Sequence, residues 1–409
     1  MSEIVYNSTF TSEISFANVK PSENVRTVWI DWLRVAAIFL VVIIHSTEPF
    51  YLGGEGSLIL TESDAFWVSL FDSFSRACVP LFIIGSSYLQ FPLHYSSKDF
   101  FLRRFKRILI PFAVWTAIYA LIWGDPIENF SNLLLNFNYA AGHLWFMYML
   151  IGVYLLMPLL SPWAEKVSRK ELLFYLSICL FTSFIPFIRE IYSNGTSSFI
   201  SGPSGIPAFS KYPLWGECSW NAYGIFYYFS GFIGYMLLGL YLKKFVKESI
   251  GLRGFLSGIG IWLIGFFISF GGFLFLVNKT SGGSFPIEGG INMAVYWETP
   301  WFYDSIGVVL MVIGWLVMFK RIFSSGTWYK KFILPMAKAS YGVYLCHMLI
   351  LVYVSQFIRE WLKVGPEGVL GFWTTPVEII LSATATYIIA SSISYILGKI
   401  PGIGKYIMG

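Results

Sequence analysis

The sequence predicts an all-α fold, that of a polytopic membrane protein with about ten transmembrane helices. Of its 409 residues, 56% are hydrophobic and only 12% are charged, whereas globular proteins carry about twice that fraction of charge. The apolar residues also fall into stretches of about 20, the length that a helix needs to cross a bilayer. The stretches are 28–50, 66–91, 105–124, 143–163, 171–189, 222–242, 254–277, 299–319, 332–357 and 372–397.

Lysine and arginine residues occur in alternate connections between these stretches. The basic connections are 98–107, 166–170, 243–253 and 320–331. Because basic loops stay in the cytoplasm, an even number of helices predicts that both termini are cytoplasmic. The net charge of +5 then indicates contact with anionic membrane lipid, and it is no argument for a nucleic-acid partner.

We expect a single transmembrane domain, residues 26–409, after a polar cytoplasmic tail of residues 1–25. The tail lacks the basic start, apolar stretch and cleavage site of a signal peptide, so we expect the first helix to be retained. Two outer loops, 192–221 and 278–298, are long and rich in glycine, serine and aromatic residues. This composition suits binding of a sugar, and equally a place at the membrane interface.

The cysteine and histidine residues do not predict a metal site. Cys78, Cys179, Cys218 and Cys346 show no CxxC or other metal-binding spacing. The four histidines are scattered over separate segments, and no HExxH motif occurs. We therefore expect chemistry without a metal ion.

Two ionisable residues, Arg34 and His45, lie inside the first apolar stretch. A charged residue at the centre of a membrane helix is unfavourable by about 2.5–3.5 kcal/mol on insertion scales, so such residues usually face a protein interior or a wet cavity. Eleven residues of helix place the two side chains within about 20° of each other and about 16 Å apart. Asp31 joins the same stripe.

The second stretch contains Arg76, with Asp72 one helical turn earlier. One interpretation is a structural Asp72–Arg76 ion pair at i,i+4 spacing, and the other is a contact to a ligand. Pro80 follows, and a proline frees a backbone carbonyl and kinks the helix. Membrane proteins tolerate such a kink where the backbone lines a cavity.

Two further helices bring histidines towards the outer half of the membrane. His143 opens the fourth stretch, either as an interfacial residue beside Trp145 or as part of a cavity. Ser340 and His347 are seven residues apart in the ninth stretch and share a helix face. Tyr344 lies between them in the same stretch. Such a polar stripe is typical either of contacts between membrane helices or of a cavity wall.

Six segments in order along the chain resemble acyltransferase family 3. Members of this family are bacterial integral membrane enzymes that move an acyl group, usually acetyl, from coenzyme A to a hydroxyl of a surface glycan. The family's Arg-x10-His signature is matched by IDWLRVAAIFLVVIIHS, with Arg34 and His45. The other segments are SFSRACVPLFIIGSSYLQF, FLRRFKRILIPFAVWT, HLWFMYMLIGVYLLMPLL, YYFSGFIGYMLLGLYL and ASYGVYLCHMLIL. In one departure, Ser86-Ser87 stands where the family commonly has Ser-Gly.

The resemblance implies a membrane O-acyltransferase with acyl-CoA, by default acetyl-CoA, as co-substrate, a glycan or lipid-linked sugar as acceptor, and a place in the bacterial cytoplasmic membrane. His45 is then the general base, or a nucleophile that forms an acyl-imidazole. The resemblance also implies a catalytic role for Arg34, which would bind the diphosphate or the pantetheine arm of coenzyme A. The separation of about 16 Å along the helix is comparable to the reach of that arm.

Further site residues follow from the same resemblance. Arg76, Arg104 and Arg107 would bind the cofactor, although anchoring at the cytoplasmic interface explains the last two without a ligand. His143, Tyr344 and His347 would line the substrate site.

A transporter or flippase of a lipid-linked sugar is the alternative function, with Arg34 and His45 as a proton relay. Secondary transporters often show paired repeats with interrupted helices at corresponding positions. The sequence shows no such pairing, which favours the enzyme.

Overall fold

A computed structural model describes residues 27–53, 56–123, 125–132, 139–192, 214–216, 223–246, 251–321, 325–362 and 369–409. The tail of residues 1–25, Cys218 and most of the loop 192–221 lie outside the described residues. Of the described residues, 82% are helical, which confirms the all-α fold class. The α-helices are α1 (Val28–Thr47), α2 (Glu62–Ser75), α3 (Cys78–Gln90), α4 (Ser97–Ile122), α5 (Pro126–Asn132), α6 (Trp145–Lys166), α7 (Arg169–Thr182), α8 (Ile185–Tyr192), α9 (Ile233–Phe245), α10 (Leu252–Ser281), α11 (Ile291–Trp297), α12 (Ile306–Phe319), α13 (Leu334–Leu362), α14 (Thr374–Gly398) and α15 (Gly404–Ile407).

Short helices of other types complete the helical segments. The 3₁₀ helices are Glu48–Phe50, Tyr139–Leu144, Leu214–Gly216, Gly224–Phe229, Thr299–Trp301 and Gly371–Trp373, and Tyr329–Ile333 is π-helical. Local sequence explains several boundaries. The Thr61 hydroxyl accepts from the Asp64 amide in a capping box that begins α2, and Gly282 ends α10 in the left-handed conformation, φ +60°.

Nine helical segments of the described chain are long and apolar enough to cross a membrane. They are Val28–Phe50, Glu62–Gln90, Ser97–Ile122, Ala141–Lys166, Arg169–Ile188, Leu252–Ser281, Thr299–Phe319, Tyr329–Leu362 and Gly371–Gly398. The protein is therefore a multi-pass membrane protein. The remaining predicted stretch, 222–242, is divided into a 3₁₀ helix and α9, because the chain turns at Gly231 with φ +67°.

A small antiparallel sheet marks one end of the bundle. Its strands β1 (Leu52–Gly53), β2 (Gly56–Ile59) and β3 (Ile287–Gly290) lie in the order β1-β2-β3, with Leu58 opposite Glu288. The pairing joins the loop after α1 to the loop after α10. Both loops lack the basic clusters of the alternate connections, and we call this side of the molecule the sheet end.

The basic connections meet at the opposite end, which we call the basic end. The Lys243 ammonium donates to the Phe91 carbonyl at 3.0 Å, and the Lys244 ammonium donates to the Val167 carbonyl at 3.2 Å. Lys320 donates to the Val246 carbonyl at 3.1 Å. The alternation predicted from the sequence is thus present, and the assignment of the basic end to the cytoplasm stays a prediction.

Helix α1 is the element around which the site is built. It packs against α2, α3, α13 and α14. At its start, near the basic end, the buried Asp31 carboxylate accepts a hydrogen bond of 2.6 Å from the Tyr329 hydroxyl. At its other end it presents His45 in its last turn. The helix is unbroken between these two points, as the predicted 16 Å separation of Arg34 and His45 requires.

Candidate active site

His45 forms a pair with a carboxylate that follows it in the chain. After α1 the backbone tightens into the 3₁₀ helix Glu48–Phe50, and this turn brings the Glu48 carboxylate to 2.8 Å from His45 Nδ1. Both side chains retain access to solvent, with exposed fractions of 16% and 29%. A carboxylate on Nδ1 holds the proton there and leaves Nε2 as the basic nitrogen. This is the arrangement that a general base needs.

Two further histidines lie against His45. The ring centres of His45 and His347 are 5.2 Å apart, those of His143 and His347 are 5.2 Å apart, and those of His45 and His143 are 6.3 Å apart. We call these three residues the histidine cluster. They come from α1, from the 3₁₀ turn before α6, and from α13, so only the tertiary fold brings them together.

Backbone contacts orient the His347 ring and hold the turn that contains His143 in place. His347 Nδ1 lies 2.7 Å from the Tyr344 carbonyl oxygen, which leaves Nε2 buried without a hydrogen-bond partner among the described residues. The Tyr344 hydroxyl donates to the His143 carbonyl at 2.9 Å and ties the turn to α13. Neither ring nitrogen of His143 makes a hydrogen bond of ordinary geometry within the described chain. The cluster therefore holds buried ring nitrogens whose hydrogen-bonding capacity the described residues leave largely unused.

A second polar cluster surrounds Arg76. Its guanidinium forms an ion pair with Asp72, and Asp72 also accepts a hydrogen bond of 2.8 Å from the Thr47 hydroxyl. Another guanidinium nitrogen lies 3.5 Å from Glu298 and 3.4 Å from the Tyr51 hydroxyl. The Tyr51 hydroxyl in turn donates to Glu298. We call these five residues the arginine cluster, in which each charged group has a partner.

Aromatic packing and burial stabilise this cluster. The Arg76 guanidinium lies 4.9 Å from the ring centre of Trp301, within the range of a cation–π contact. Trp301 stacks on Phe273 and donates its indole N–H to the Ser73 hydroxyl at 2.7 Å. Burial, and then the Glu298 carboxylate, raise the pKa of Tyr51 well above its ordinary value. Tyr51 therefore stays protonated and remains a hydrogen-bond donor.

The predicted break in the second transmembrane segment is present beside Arg76. Helix α2 ends at Ser75 and α3 begins at Cys78. Pro80 has no N–H to bond the carbonyl four residues earlier, which is that of Arg76. Arg76 and Cys78 both line the cavity described next, so the interruption between α2 and α3 lies beside that cavity.

Both clusters border one cavity of about 490 Å³, which we call the histidine cavity. This volume is in the range of small-molecule sites. The lining residues whose side chains carry nitrogen or oxygen atoms are His45, Glu48, Tyr51, Arg76, His143, Trp145, Glu298, Trp301, Tyr303, Asp304 and Tyr344. The predicted residues His45, Arg76, His143 and Tyr344 thus meet at one cavity, and His347 lies fully buried against His45.

The structure places the other predicted cofactor residues elsewhere. Arg34 is half-buried on α1 and is not among the residues that line the cavity, since the fully buried Ile38 and the buried Val41 lie between it and His45 on the helix. Arg104 is half-buried and Arg107 is exposed on α4. These three arginines lie towards the basic end, apart from the histidine cluster.

Sequence analysis missed Glu48 and Tyr51. Glu48 follows His45 by three residues, a spacing that brings side chains together at a helix end, so the local sequence HSTE contains the signal. Tyr51 meets Arg76 and Glu298 only through the tertiary fold. Within the described part of the chain, no group of three or more His, Cys, Asp or Glu residues is placed to hold a metal ion.

Comparison with known protein families gives a match over nearly the whole chain. The sequence model of a family described as an acyltransferase domain matches residues 27–395, nearly the whole chain. No curated protein and no solved structure matches.

Proposed function

The chain belongs to acyltransferase family 3, and we propose that it moves an acyl group, by default acetyl, from acyl-CoA to a hydroxyl of a cell-surface glycan or its lipid-linked precursor. That it is a multi-pass membrane acyltransferase follows from its family and its membrane-spanning helices. The finer assignment rests on the His45–Glu48 pair at the histidine cavity. We place the protein in the bacterial cytoplasmic membrane, with the donor supplied at the basic end.

His45 acts as general base in this proposal. Its Nε2 takes the proton of the acceptor hydroxyl as the hydroxyl oxygen attacks the thioester carbonyl carbon. The carbon–sulfur bond then breaks, and the proton passes from His45 to the departing coenzyme A sulfur. Glu48 is a positioning residue, because it holds His45 Nδ1 and stabilises the imidazolium that forms in between.

The charge balance of the arginine cluster argues against a phosphate-binding role for Arg76. Asp72 and Glu298 bring two carboxyl groups to the single guanidinium of Arg76, so the cluster has no excess positive charge for a diphosphate. We assign stabilisation of the oxyanion of the tetrahedral intermediate to the ring N–H of His143, and we assign Arg76 to holding the cavity wall in place through its ion pairs.

In this proposal the acyl donor, acyl-CoA, binds at the basic end. Arg34, Arg104 and Arg107 supply positive charge there, and coenzyme A carries phosphates that such groups bind. An extended pantetheine arm anchored near Arg34 is long enough for the roughly 16 Å of α1 that separates Arg34 from His45, and on this route it has to displace the apolar side chains between them. The acyl group would then reach the histidine cavity from the basic end, while the acceptor enters from the sheet end.

Transfer of label from acyl-CoA tests this function directly. Purified protein in liposomes is given radiolabelled acetyl-CoA and a membrane glycan extract, and the label is followed into the glycan. We expect incorporation by the unmodified protein and none by His45→Ala. A flippase would instead move sugar across the bilayer while the thioester stays intact, and that result would overturn the proposal.

A further inference from the structure

A second cavity of about 240 Å³ lies on the side of the bundle between α7, α9 and α12. Its walls are mainly apolar and include Leu176, Leu180, Leu238, Val309 and Ile313. Leu180 is 38% exposed, so the cavity is an open groove on the outer surface of the described helices. Because these helices are membrane-spanning or packed beside such segments, the groove faces hydrocarbon.

The groove adjoins the histidine cavity. Gly231 and Asp304 line both spaces. Gly231 has φ +67° and nothing within 4 Å of the position that a Cβ would take, so the junction is open on that side. A molecule in the groove therefore lies next to the cavity that contains His45.

The direction of the groove matches that of a lipid tail. It starts near Thr182 and Gly231 at the sheet end and continues over about two and a half helical turns, roughly 14 Å, to Leu173 and Tyr241. If the sheet end faces outward, the tail of a lipid in the outer leaflet points the same way, from the interface towards the membrane centre. A headgroup at the junction would then enter the histidine cavity.

We infer that the groove holds the hydrocarbon chain of a glycolipid acceptor whose sugar occupies the histidine cavity. The inference rests on the acyl transfer proposed above for that cavity. On entering the groove from the bilayer, the hydrocarbon chain of the lipid gains only van der Waals contacts, because the bilayer is already apolar. The headgroup therefore decides which lipid binds. Three carboxyl groups line the cavity, those of Glu48, Glu298 and Asp304. Carboxylates accept hydrogen bonds from sugar hydroxyls and repel phosphate.

Photo-crosslinking tests the inference without reference to activity. The probe is a dodecyl β-glucoside with a diazirine on its chain, added to the full-length protein in liposomes. A phosphatidylglycerol with the same diazirine chain reports labelling by bulk lipid. We expect adducts of the glucoside at residues 173–182, 234–241 and 309–313, at least fivefold enriched over those of the phospholipid. Equal labelling by the two probes, or glucoside adducts spread over other lipid-facing helices, would overturn the inference.

Variants that fill the groove sharpen the test. Leu180→Trp and Val309→Trp each narrow it and should lower glucoside labelling at least fivefold. Ile264→Trp places the same side chain at an exposed position of α10 outside the groove and should leave labelling unchanged. Unchanged labelling in both groove variants contradicts the inference. We expect His45→Ala to lose acyl transfer and to keep the glucoside labelling of the groove. Labelling and transfer are thus measured separately, and either proposal can fail without the other.

Discussion

Two polar clusters border the same cavity and differ in how fully their groups are paired. In the arginine cluster the guanidinium of Arg76 meets Asp72, Glu298 and Tyr51, and Asp72 also accepts from Thr47. In the histidine cluster, His347 Nε2 and both ring nitrogens of His143 have no hydrogen-bond partner of ordinary geometry among the described residues.

This difference indicates that the two clusters have different roles. Buried charged groups that are paired on several sides connect elements of the fold, here the end of α1, α2 and the segment before α12, and breaking them is strongly destabilising. Buried ring nitrogens without a protein partner are unfavourable unless a ligand or water satisfies them. We therefore expect variants of the histidine cluster to lose activity first, and variants of the arginine cluster to lose stability first.

The largest effect is expected for His45→Ala. Removal of a general base lowers rates by about 10²–10⁴-fold, so acetyl transfer should fall by at least about 100-fold while the variant remains folded and monodisperse. His94→Ala is the matched control, because His94 is exposed at the basic end. Rates are measured as label incorporated per minute. Equal losses in both variants would mean that the effect is not specific to the cavity.

Arg76→Ala should be the most destabilising of these substitutions. It leaves Asp72 and Glu298 without their shared cation, and removal of one partner of a buried ion pair costs about 3–5 kcal/mol. The expected result is a clear drop in the thermal unfolding midpoint in detergent, against little change for His45→Ala. Asp72→Asn combined with Arg76→Gln should recover part of the loss. An unchanged midpoint for Arg76→Ala would refute the structural role of the cluster.

Glu48→Gln should reduce the rate by an intermediate amount, about 10- to 100-fold by analogy with partners that orient a reactive group. The amide keeps the size of the side chain and loses the charge that stabilises an imidazolium. Because Glu48 acts through His45, kcat should fall while KM for the acceptor stays near its original value. Glu288→Gln, at an exposed position of β3, is the control. A rise in KM with kcat unchanged would assign Glu48 to acceptor binding instead.

The smallest of these effects concerns the donor. Arg34→Ala should weaken coenzyme A binding about tenfold in calorimetry, which corresponds to the loss of one charge-assisted contact. Arg253→Ala removes an exposed arginine at the basic end and should leave the affinity unchanged. If both variants bind coenzyme A like the original protein, Arg34 has no part in holding the donor.

Much of the fold follows from the sequence, because membrane helices are specified by long apolar stretches. Nine of the ten stretches form long helical segments within the described residues. The remaining stretch, 222–242, does not, because Gly231 turns the chain. Average hydropathy over a window is insensitive to one such residue. The spacing of Arg34 and His45 was also readable, since an unbroken helix converts sequence distance into geometry.

The site itself was only partly predictable. His45, Arg76, His143, Tyr344 and His347 were each identified singly, because polar residues in apolar stretches stand out. Their convergence depends on how four separate segments pack, and a single sequence does not contain that information. The same limit applies to Arg34, whose helix face towards His45 is filled by apolar side chains that the spacing alone did not reveal.

The most direct test of the central claim is to follow two quantities in one reaction, the coenzyme A thiol released and the acyl group incorporated into the acceptor. If His45 serves acyl transfer at the histidine cavity, the unmodified protein and His94→Ala should release thiol and incorporate acyl group one for one, and His45→Ala should do neither. Equal incorporation by His45→Ala would contradict the account.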